Sequence, residues 1–341
     1  MHRQAPPGRQ AHHRPSLTSR HSPYFDGGRV ALPEPGPGEV LIRTRALGLN
    51  RAESMFRLGQ YGIDPVFPSG IGYEAAGVIE ALGDGVSGLS VGDAVSVVPS
   101  FTMTDYPVHG EAVLAPAHAV VVHPERLSFE EAASVWMQFI TAYGGLVDLA
   151  GVRAGDAVLI SAASSSVGLA AIQITHKAGA RAIALTRTDA KRRRLLDAGA
   201  DEVVATAEED VAARVRELTG GEGARVVFDP VGGTALAHLV TAAAHEAHIV
   251  LYGVLDRTPA PLNVGEVLFK HLTIRGFELF EITTDDRRRA EAVAFVTDGL
   301  AKGELTPTVD ATFPLEDIAE AHRYLEAGGQ VGKIIVTVPN S

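Results

Sequence analysis

The sequence predicts an α/β protein with two domains, a doubly wound parallel sheet and a second, mainly β domain. From Asp156 onward, short apolar runs alternate with helical segments, which is typical of a parallel sheet covered by helices on both faces. From Val30 to about Leu127, β-rich runs are separated by Gly, Pro and Asp without that alternation. The chain has 341 residues, which is long enough for two domains of ordinary size.

The individual elements follow from these patterns. In the first domain the predicted strands are "EVLIRTRALGL", "AAGVIEAL" and "DAVSVV". In the second domain they are "AVLISAA", "RAIALT", "EVVAT", "ARVVFDPVG", "HIVLYGV" and "LTIRGFEL", with helices such as "GLAAIQITHKAG" between them. The closing segment "DIAEAHRYLEAGGQVGKIIVTV" adds one helix and one strand, which we expect to return to the first domain. The expected boundaries are 25–128 with 270–341 for the mainly β domain, and 129–269 for the doubly wound domain.

Residues 1–24 are predicted to form a disordered tail. The stretch from Met1 to Pro23 carries four histidines, four arginines and no acidic residue, and it shows no apolar periodicity.

Composition narrows the classes of partner. Hydrophobic residues make up 46% and charged residues 21%, as in an ordinary globular protein. A formal net charge of -11 disfavours a nucleic-acid partner, although two short basic runs lie near Lys191 and Arg287. The chain has no cysteine, so it forms neither disulfides nor thiolate metal sites. No apolar run reaches the roughly 18 residues of a membrane-spanning helix, and we expect no membrane partner.

The segment "AVLISAASSSVGLAAIQ" predicts a strand, a turn of small residues and a helix. This arrangement presents backbone N–H groups and a helix N-terminus to a pyrophosphate. Of the glycine fingerprint G-x-G-x-x-G only the last glycine remains, because Ala163 and Ser165 occupy the other two positions. The predicted phosphate-binding residues are Ser164, Ser165, Ser166, Val167 and Gly168. The alternative is a turn that merely lets the helix pack on the sheet.

The end of the next strand predicts the choice of dinucleotide. An acid at this position favours NAD, whereas hydroxyls and cations favour the 2′-phosphate of NADP. The sequence has hydroxyls and cations there, at Thr186, Arg187, Thr188 and Lys191. NADP(H) is therefore the predicted cofactor. The competing hypothesis is that Asp189 binds the ribose hydroxyls of NAD, although Asp189 is equally suited to cap the following helix.

Several motifs resemble the medium-chain dehydrogenase/reductase superfamily, and within it the zinc-independent quinone oxidoreductase-like branch. The most specific is "GYEAAGVIEALGDGVSGLSVGDAV", and "LLDAGADEVV", "VVFDPVGG" and "VGKIIV" also match. The resemblance runs from about Val30 to Val338, and the first 24 residues depart from it. It implies a Rossmann NADP-binding domain and a GroES-like catalytic domain. It also implies a cytoplasmic homodimer formed through the cofactor domains.

The resemblance implies that the catalytic zinc ligands of the alcohol dehydrogenases are replaced. Their three positions hold Asn50, Tyr73 and Met137, and only the neighbouring Glu74 remains. A catalytic zinc site normally uses three protein ligands, so we expect no metal. The "HEAH" stretch from His245 to His248 has i, i+3 spacing and is also not expected to bind a metal.

The remaining site residues come from the same resemblance. It implies that Asn50, Glu53 and Tyr61 line the catalytic cleft and that Thr141 lies beside the nicotinamide. Gly253, Phe277 and Lys333 are further expected cofactor contacts. Each catalytic residue has an ordinary structural alternative, which is a strand-end cap for Asn50, a helix-surface acid for Glu53 and a partly buried aromatic for Tyr61. Met55 stands where the family often has a tyrosine.

These residues predict an NADPH-dependent oxidoreductase that works without zinc. Hydride added to a quinone or to the activated C=C of an α,β-unsaturated carbonyl leaves a delocalised anion, which Tyr61 or water protonates. Two alternatives remain open at this point. One is an enoyl-thioester reductase or tailoring enzyme of a biosynthetic pathway, and the other is a non-catalytic NADPH-binding protein.

Overall fold

The computed structural model describes residues 12–17, 25–30 and 34–339. The chain divides into two compact units. Unit 1 comprises Met1–Met137 together with Pro307–Ser341, and unit 2 comprises Gln138–Thr306.

Unit 1 is built on a seven-stranded sheet. Its strands are β3 (Glu39–Gly48), β4 (Glu74–Leu82), β5 (Ala94–Val97), β6 (Ala112–Pro116), β7 (Val120–Val122), β14 (Val309–Pro314) and β15 (Lys333–Thr337). The strand order is β14-β15-β3-β4-β5-β7, with β6 also paired to β3. Only β14 and β15 pair in parallel; the other pairs are antiparallel. Its helices are α1 (Arg51–Arg57), α2 (Phe129–Ala132) and α11 (Ile318–Ala327), and α3 (Trp136–Tyr143) contains the boundary with unit 2.

Burial along β3 explains its central place in unit 1. From Glu39 to Arg45 buried and half-buried residues alternate, as expected for a strand with one face on the core. From Ala46 to Gly48 every residue is buried. The carboxyl end of β3 is therefore enclosed on both faces, and Asn50 lies two residues beyond it.

Two strands lie near the start of the chain. β1 (His12–Leu17) pairs antiparallel with β2 (Phe25–Val30). The predicted tail over residues 1–24 is therefore incorrect for His12–Leu17. A backbone ladder forms there without the apolar periodicity that the prediction used. The other residues of the predicted tail lie outside the described part of the chain.

Unit 2 contains a six-stranded parallel sheet, which confirms the predicted fold class. Its strands are β8 (Ala157–Ile160), β9 (Arg181–Thr186), β10 (Glu202–Ala205), β11 (Ala224–Asp229), β12 (Ala243–Leu251) and β13 (Thr273–Gly276). Their order is β10-β9-β8-β11-β12-β13, the 3-2-1-4-5-6 order of a dinucleotide-binding sheet. The order reverses between β8 and β11, so a ligand crevice is expected at the carboxyl ends of these two strands.

The first five helices of unit 2 connect these strands, and the last two follow β13. They are α4 (Ser166–Lys177), α5 (Arg192–Asp197), α6 (Val211–Leu218), α7 (Ala235–Ala242), α8 (Val264–Phe269), α9 (Phe280–Thr283) and α10 (Asp286–Lys302). Buried apolar side chains from the strands and from α6 and α7 form one continuous core. Among the described residues, no helix is long and apolar enough to cross a membrane.

The boundaries of the units differ from the expected ones. The segment 270–306 belongs to unit 2, because β13 pairs in parallel with the carboxyl half of β12. Residues 129–137, in contrast, belong to unit 1. The expected boundary at 269 placed β13 in the wrong domain, although the sequence run "LTIRGFEL" itself is correctly predicted as a strand.

Candidate active site

Four buried polar residues of unit 1 form one hydrogen-bonded group, here called the acid–lysine cluster: Asn50, Glu53, Glu74 and Lys333. Their exposed fractions are 8%, 0%, 1% and 1%. The Lys333 ammonium donates to Glu74 Oε2 and to Asn50 Oδ1. Asn50 Nδ2 in turn donates to Glu53 Oε1 at 3.2 Å and to Glu74 Oε2 at 3.1 Å. Every member therefore contacts at least one other member.

Strand register brings these residues together. Glu74 opposes Gly48 across the β3–β4 pair, and β15, which begins with Lys333, pairs on the other side of β3. A Cβ on Gly48 would lie 2.1 Å from the Ala133 carbonyl oxygen, 3.0 Å from Lys333 Cε and 3.2 Å from Glu74 Cβ. Glycine at this position therefore leaves the space in which the lysine and the glutamate meet.

Helix α1 supplies the remaining two members. Asn50 is its N-cap, and the Glu53 carboxylate accepts a hydrogen bond from the Asn50 backbone N–H. This is the reciprocal half of a capping box, in which the third helical residue reaches back to the cap. The structural alternative for Asn50 is thus partly realised, since Asn50 caps a helix. Glu53, however, is completely buried and is not a surface acid.

Burial sets the protonation of the cluster. Desolvation raises the pKa of Glu53 to about 8; Lys333 and hydrogen bonds from Asn50 oppose this rise, and the Glu74 charge adds to it. Glu53 is therefore mostly protonated at neutral pH, and Lys333 and Glu74 form the ion pair of the cluster. Nearby His109 is fully buried, and desolvation lowers its pKa to about 3, so it adds no positive charge.

The residues at the zinc-ligand positions do not fit a catalytic zinc. The side chain of Asn50 is held by the cluster, and Glu74 already accepts from the Lys333 ammonium. Met137 contributes its backbone N–H, which donates to Glu74 Oε1 at 2.8 Å. Burial, together with the neighbouring Tyr61, raises the pKa of Tyr73 far above its usual value, so Tyr73 remains a neutral phenol. Zinc prefers imidazole, thiolate and carboxylate ligands, and this set offers it one carboxylate that is already paired with a cation.

Tyr61 lies next to Tyr73. Their ring centroids are 6.1 Å apart, and Tyr61 is half-buried in the segment after α1. Tyr73 is completely buried. The structure therefore places Tyr61, predicted as a proton donor, at a partly accessible position beside a buried phenol.

In unit 2, the turn after β8 has the predicted strand–turn–helix geometry. Ser165 is the N-cap of α4, and its hydroxyl accepts from the Gly168 N–H at 3.1 Å. A Cβ on Gly168 would lie 2.5 Å from the Ala163 carbonyl oxygen, so glycine is required for the helix to start this close to the turn. Ala162 has a left-handed backbone, with φ 47°. A non-glycine residue is thus held in a strained conformation at the start of the turn.

The end of β9 presents the predicted ribose selector. Arg187 and Thr188 are exposed, and Thr186 is buried as the last residue of the strand. Lys191 Nζ donates to Ser164 Oγ at 3.1 Å, which joins this segment to the turn after β8. The competing selector Asp189 forms an ion pair with Arg192, which also pairs with Glu209 at 2.8 Å.

Three further residues, Ser161, Asp229 and Tyr252, lie at the carboxyl ends of β8, β11 and β12. The sequence analysis did not predict them as site residues. Asp229 is completely buried and accepts from the N–H groups of Val231 and Gly232 at 3.0 and 2.9 Å. Burial raises the pKa of Asp229, and a hydrogen bond from Ser161 opposes the rise. Tyr252 stacks on Phe228, with ring centroids 4.0 Å apart. The signal was present in "VVFDPVGG", where an acid ends an apolar strand.

The other predicted cofactor contacts have varied environments. Thr141 and Phe277 are buried, at 6% and 5% exposure, whereas Gly253 is exposed. Phe277 packs against the backbone at Gly144, where a Cβ would lie 2.4 Å from the ring. Lys333, the last expected cofactor contact, lies in unit 1, where its ammonium is buried in the acid–lysine cluster.

A dinucleotide-type parallel sheet with a tight strand–turn–helix after its first strand, together with a mainly β unit that carries a buried polar cluster, is typical of the two-domain dehydrogenases and reductases. Comparison with known proteins agrees. The family model described as an alcohol dehydrogenase GroES-like domain matches residues 36–125, and the one described as a zinc-binding dehydrogenase matches residues 166–297.

Individual proteins are also similar. Human quinone oxidoreductase is 32% identical over 308 residues, which cover 90% of this chain and 91% of that protein. A mycobacterial protein solved in complex with NADPH has a TM-score of 0.87 at 30% identity, over 96% of this chain and 100% of that one. The CurK enoyl reductase has a TM-score of 0.86 at 26% identity, over 97% of this chain and 100% of that one. The chain therefore belongs to the quinone oxidoreductase-like family of the medium-chain dehydrogenase/reductase superfamily, and it is an oxidoreductase.

Proposed function

We propose that this protein is an NADPH-dependent reductase that transfers hydride to a quinone or to the activated C=C of an α,β-unsaturated carbonyl, without zinc. One observation carries the proposal: the three positions that would hold zinc are occupied by Asn50 of the acid–lysine cluster, by the neutral phenol Tyr73 and by Met137, which contributes only its backbone N–H. These groups supply hydrogen bonds and a proton, and they do not supply a Lewis acid.

The chemistry of the substrate follows from that difference. Oxidation of an unactivated alcohol needs strong stabilisation of an alkoxide, which a metal ion normally provides. A conjugated acceptor needs less, because its negative charge is delocalised when hydride arrives. NADPH, when bound, supplies that hydride. Hydrogen bonds and one proton complete the reaction.

Within this proposal each residue of unit 1 has a stated task. Lys333 and Glu53 fix the orientation of the Asn50 amide from opposite ends. Glu53 keeps its proton at neutral pH, so no second buried carboxylate repels the developing negative charge. Tyr61 or water delivers the proton to the product. Tyr61 has the suitable position for this task, being half-buried rather than enclosed.

Support for NADPH comes from unit 2. The N-terminus of α4 and the turn from Ser164 to Gly168 are suited to the pyrophosphate. Arg187 and Thr188 are exposed at the end of β9, where the 2′-phosphate of NADP is bound in this fold. Asp189 is paired with Arg192, which reduces its availability to the ribose hydroxyls of NAD.

Cofactor titration of Arg187→Ala tests this proposal. Loss of charge-assisted hydrogen bonds worth about 1.5 to 3 kcal/mol weakens NADPH binding by roughly ten- to a hundredfold and leaves NADH nearly unaffected. Arg193→Ala is the matched control, because Arg193 is 86% exposed and pairs with Asp197. Both cofactors are titrated at one salt concentration, since screening weakens this contact. Equal losses for both cofactors, or wild-type preference for NADH, would contradict the proposal.

A second candidate is an enoyl-thioester reductase, which the likeness to the CurK enoyl reductase favours. The two candidates share the hydride chemistry and differ in the group that activates the double bond. Product analysis with an enoyl thioester, a simple enone and a quinone separates them by kcat/KM. If NADPH binds tightly and none of the three is reduced above background, the protein binds NADPH without turnover.

We also propose a homodimer formed through the cofactor units. β13 is an edge strand of the unit 2 sheet, and exposed edges favour pairing with a second chain. Val264, Leu268 and Phe269 of the preceding helix are 69%, 64% and 78% exposed. Sedimentation velocity tests the assignment: wild type sediments as a dimer, and Phe269→Asp shifts it toward monomer. A monomeric wild type would refute it.

A further inference from the structure

Strand β12 carries an irregularity that exposes two potential ligands. Ala224 of β11 opposes Ala243, but the next pair is Val226 with His248. Arg225 alone thus faces the four residues from Ala244 to Ala247. The bulge turns at Glu246, which has a left-handed backbone with φ 57°. His245 and Glu246 are both exposed there.

The segment between α8 and β13 brings a third ligand to the same place. The Glu246 N–H donates to the Lys270 carbonyl oxygen at 2.7 Å, which holds the neighbouring His271 beside the bulge. His271 is exposed and also has a left-handed backbone, with φ 52°. The imidazole centroids of His245 and His271 are 4.7 Å apart.

These three side chains form the group of possible metal ligands found among the described residues. One ligand atom from each of His245, Glu246 and His271 lies within 4.8 Å of the others. A tetrahedral ion with bonds of about 2.1 Å needs ligands about 3.4 Å apart. Because all three side chains are exposed, small rotations about their torsions close that difference.

The ligand set selects the kind of ion. Imidazole suits Zn²⁺, Cu²⁺ and Ni²⁺, whereas Mg²⁺ and Ca²⁺ prefer oxygen ligands. Two imidazoles and a carboxylate leave the remaining coordination positions to water. The neighbouring Lys270 ammonium is directed to the carbonyl oxygens of Val240, Thr241 and Ala243, and it pairs with Glu266 at 3.0 Å.

We propose that His245, Glu246 and His271 bind one Zn²⁺ ion, or a similar transition-metal ion, in unit 2. The site lies toward the amino ends of β12 and β13. Up to about 20 Å of extended chain separate Glu246 from Tyr252 at the carboxyl end of β12. The ion therefore takes no part in hydride transfer. It ties the β12 bulge to the segment before β13 and stabilises the unit.

The proposed site is not the His245–His248 pair, which the sequence analysis considered and did not expect to bind a metal. In "HEAH" the second histidine, His248, is half-buried and lies in the regular part of the strand opposite Val226. The partner of His245 is instead His271, which is remote in sequence. Spacing alone does not predict that pairing.

Equilibrium dialysis of the full chain against Zn²⁺, with the metal measured by atomic absorption, tests the proposal. Wild type binds one more Zn²⁺ per chain than either His245→Ala or His271→Asn, or binds it at least tenfold more tightly. Asparagine is chosen at 271 because it tolerates a left-handed backbone. His238→Ala is the control, since His238 is an exposed histidine of α7 in the same unit, and it retains wild-type binding.

Two further readouts make the result decisive. Metal-free variants keep the wild-type unfolding midpoint, and Zn²⁺ raises that midpoint only in wild type and the control. Sedimentation velocity on the same samples shows that the oligomeric state of the protein is the same with and without Zn²⁺. Equal stoichiometry and affinity in all four proteins overturns the proposal, as does half an ion per chain with metal-dependent association. A zinc ion that both His245→Ala and His271→Asn retain and that Glu74→Gln loses would lie in unit 1. That result overturns both this proposal and the zinc-independent function proposed above.

Discussion

The substitution Lys333→Met removes the cation of the acid–lysine cluster. Lys333 and Glu74 are each 1% exposed, so the change leaves a buried carboxylate without its counter-ion. Breaking a buried pair in this way costs about 3 to 5 kcal/mol. Glu74 keeps its hydrogen bonds from Asn50 and from the Met137 N–H, at 3.1 and 2.8 Å, so we expect the lower half of that range.

Urea unfolding followed by tryptophan fluorescence measures this cost. The chain has one tryptophan, Trp136, which lies in unit 1, is 2% exposed and donates to Ser96 Oγ at 2.8 Å. It therefore reports unfolding of the unit that holds the cluster. With an m-value of about 2 kcal/mol per M, a loss of about 3 kcal/mol lowers the urea midpoint by about 1.5 M.

Two companion variants isolate the cause. Arg43→Met breaks a partly exposed pair with Glu80 in the same sheet, where the Arg43 side chain is 28% exposed, and such pairs contribute about 0 to 1 kcal/mol. Glu74→Gln combined with Lys333→Met removes both charges and recovers much of the loss. If Lys333→Met costs no more than Arg43→Met, or if the double variant is no more stable than the single one, the cluster does not depend on a buried ion pair.

Glu53, Tyr61 and Ala162 can each be tested by a single substitution. Burial raises the Glu53 pKa from 4.5 to about 8, so between these pH values the folded state binds a proton that the unfolded state has lost. The free energy of unfolding therefore falls as the pH rises through this interval, by up to about 5 kcal/mol in total. Glu53→Gln flattens this dependence in urea titrations at a series of pH values, and parallel wild-type and variant curves would contradict the raised pKa. Tyr61→Phe lowers kcat roughly 10²- to 10⁴-fold and leaves NADPH affinity nearly unchanged. If kcat is unaltered while the chemical step limits the rate, water is the proton donor. Ala162→Gly relieves the left-handed backbone at φ 47° and stabilises unit 2 by up to about 1 kcal/mol, so a lower thermal midpoint would show that the strain is absent.

The sequence predicted the parallel sheet and the strand–turn–helix after β8 because both depend on local patterns. Apolar runs of strand length fix the strands, and Gly168 marks the close approach of helix and turn. Asn50 and Glu53 were expected in the site from the family resemblance, and the structure shows that they lie one helical turn apart and form part of one capping arrangement. Spacing of this kind is visible without a structure.

Features that depend on distant pairing were not predictable in the same way. Lys333 meets Glu74 only because β15 and β4 flank β3, and the two residues lie 259 positions apart. The unit boundary was misplaced because a short strand, β13, extends the sheet beyond the expected end of the domain. The meeting of His245 with His271 depends on a bulge and on two left-handed residues, which no periodicity encodes.

Isotope transfer from NADPH distinguishes reduction of an activated C=C from zinc-dependent alcohol chemistry. Chelator-treated protein is given NADPH deuterated at the transferable C4 position, with an α,β-unsaturated ketone as acceptor, and the product is analysed by mass spectrometry and NMR. We expect one deuterium at the β-carbon of the product for each NADPH oxidised, at a rate that added zinc does not change. Activity that chelation abolishes and zinc restores, or deuterium delivered to the carbonyl carbon to give an alcohol, would contradict this expectation.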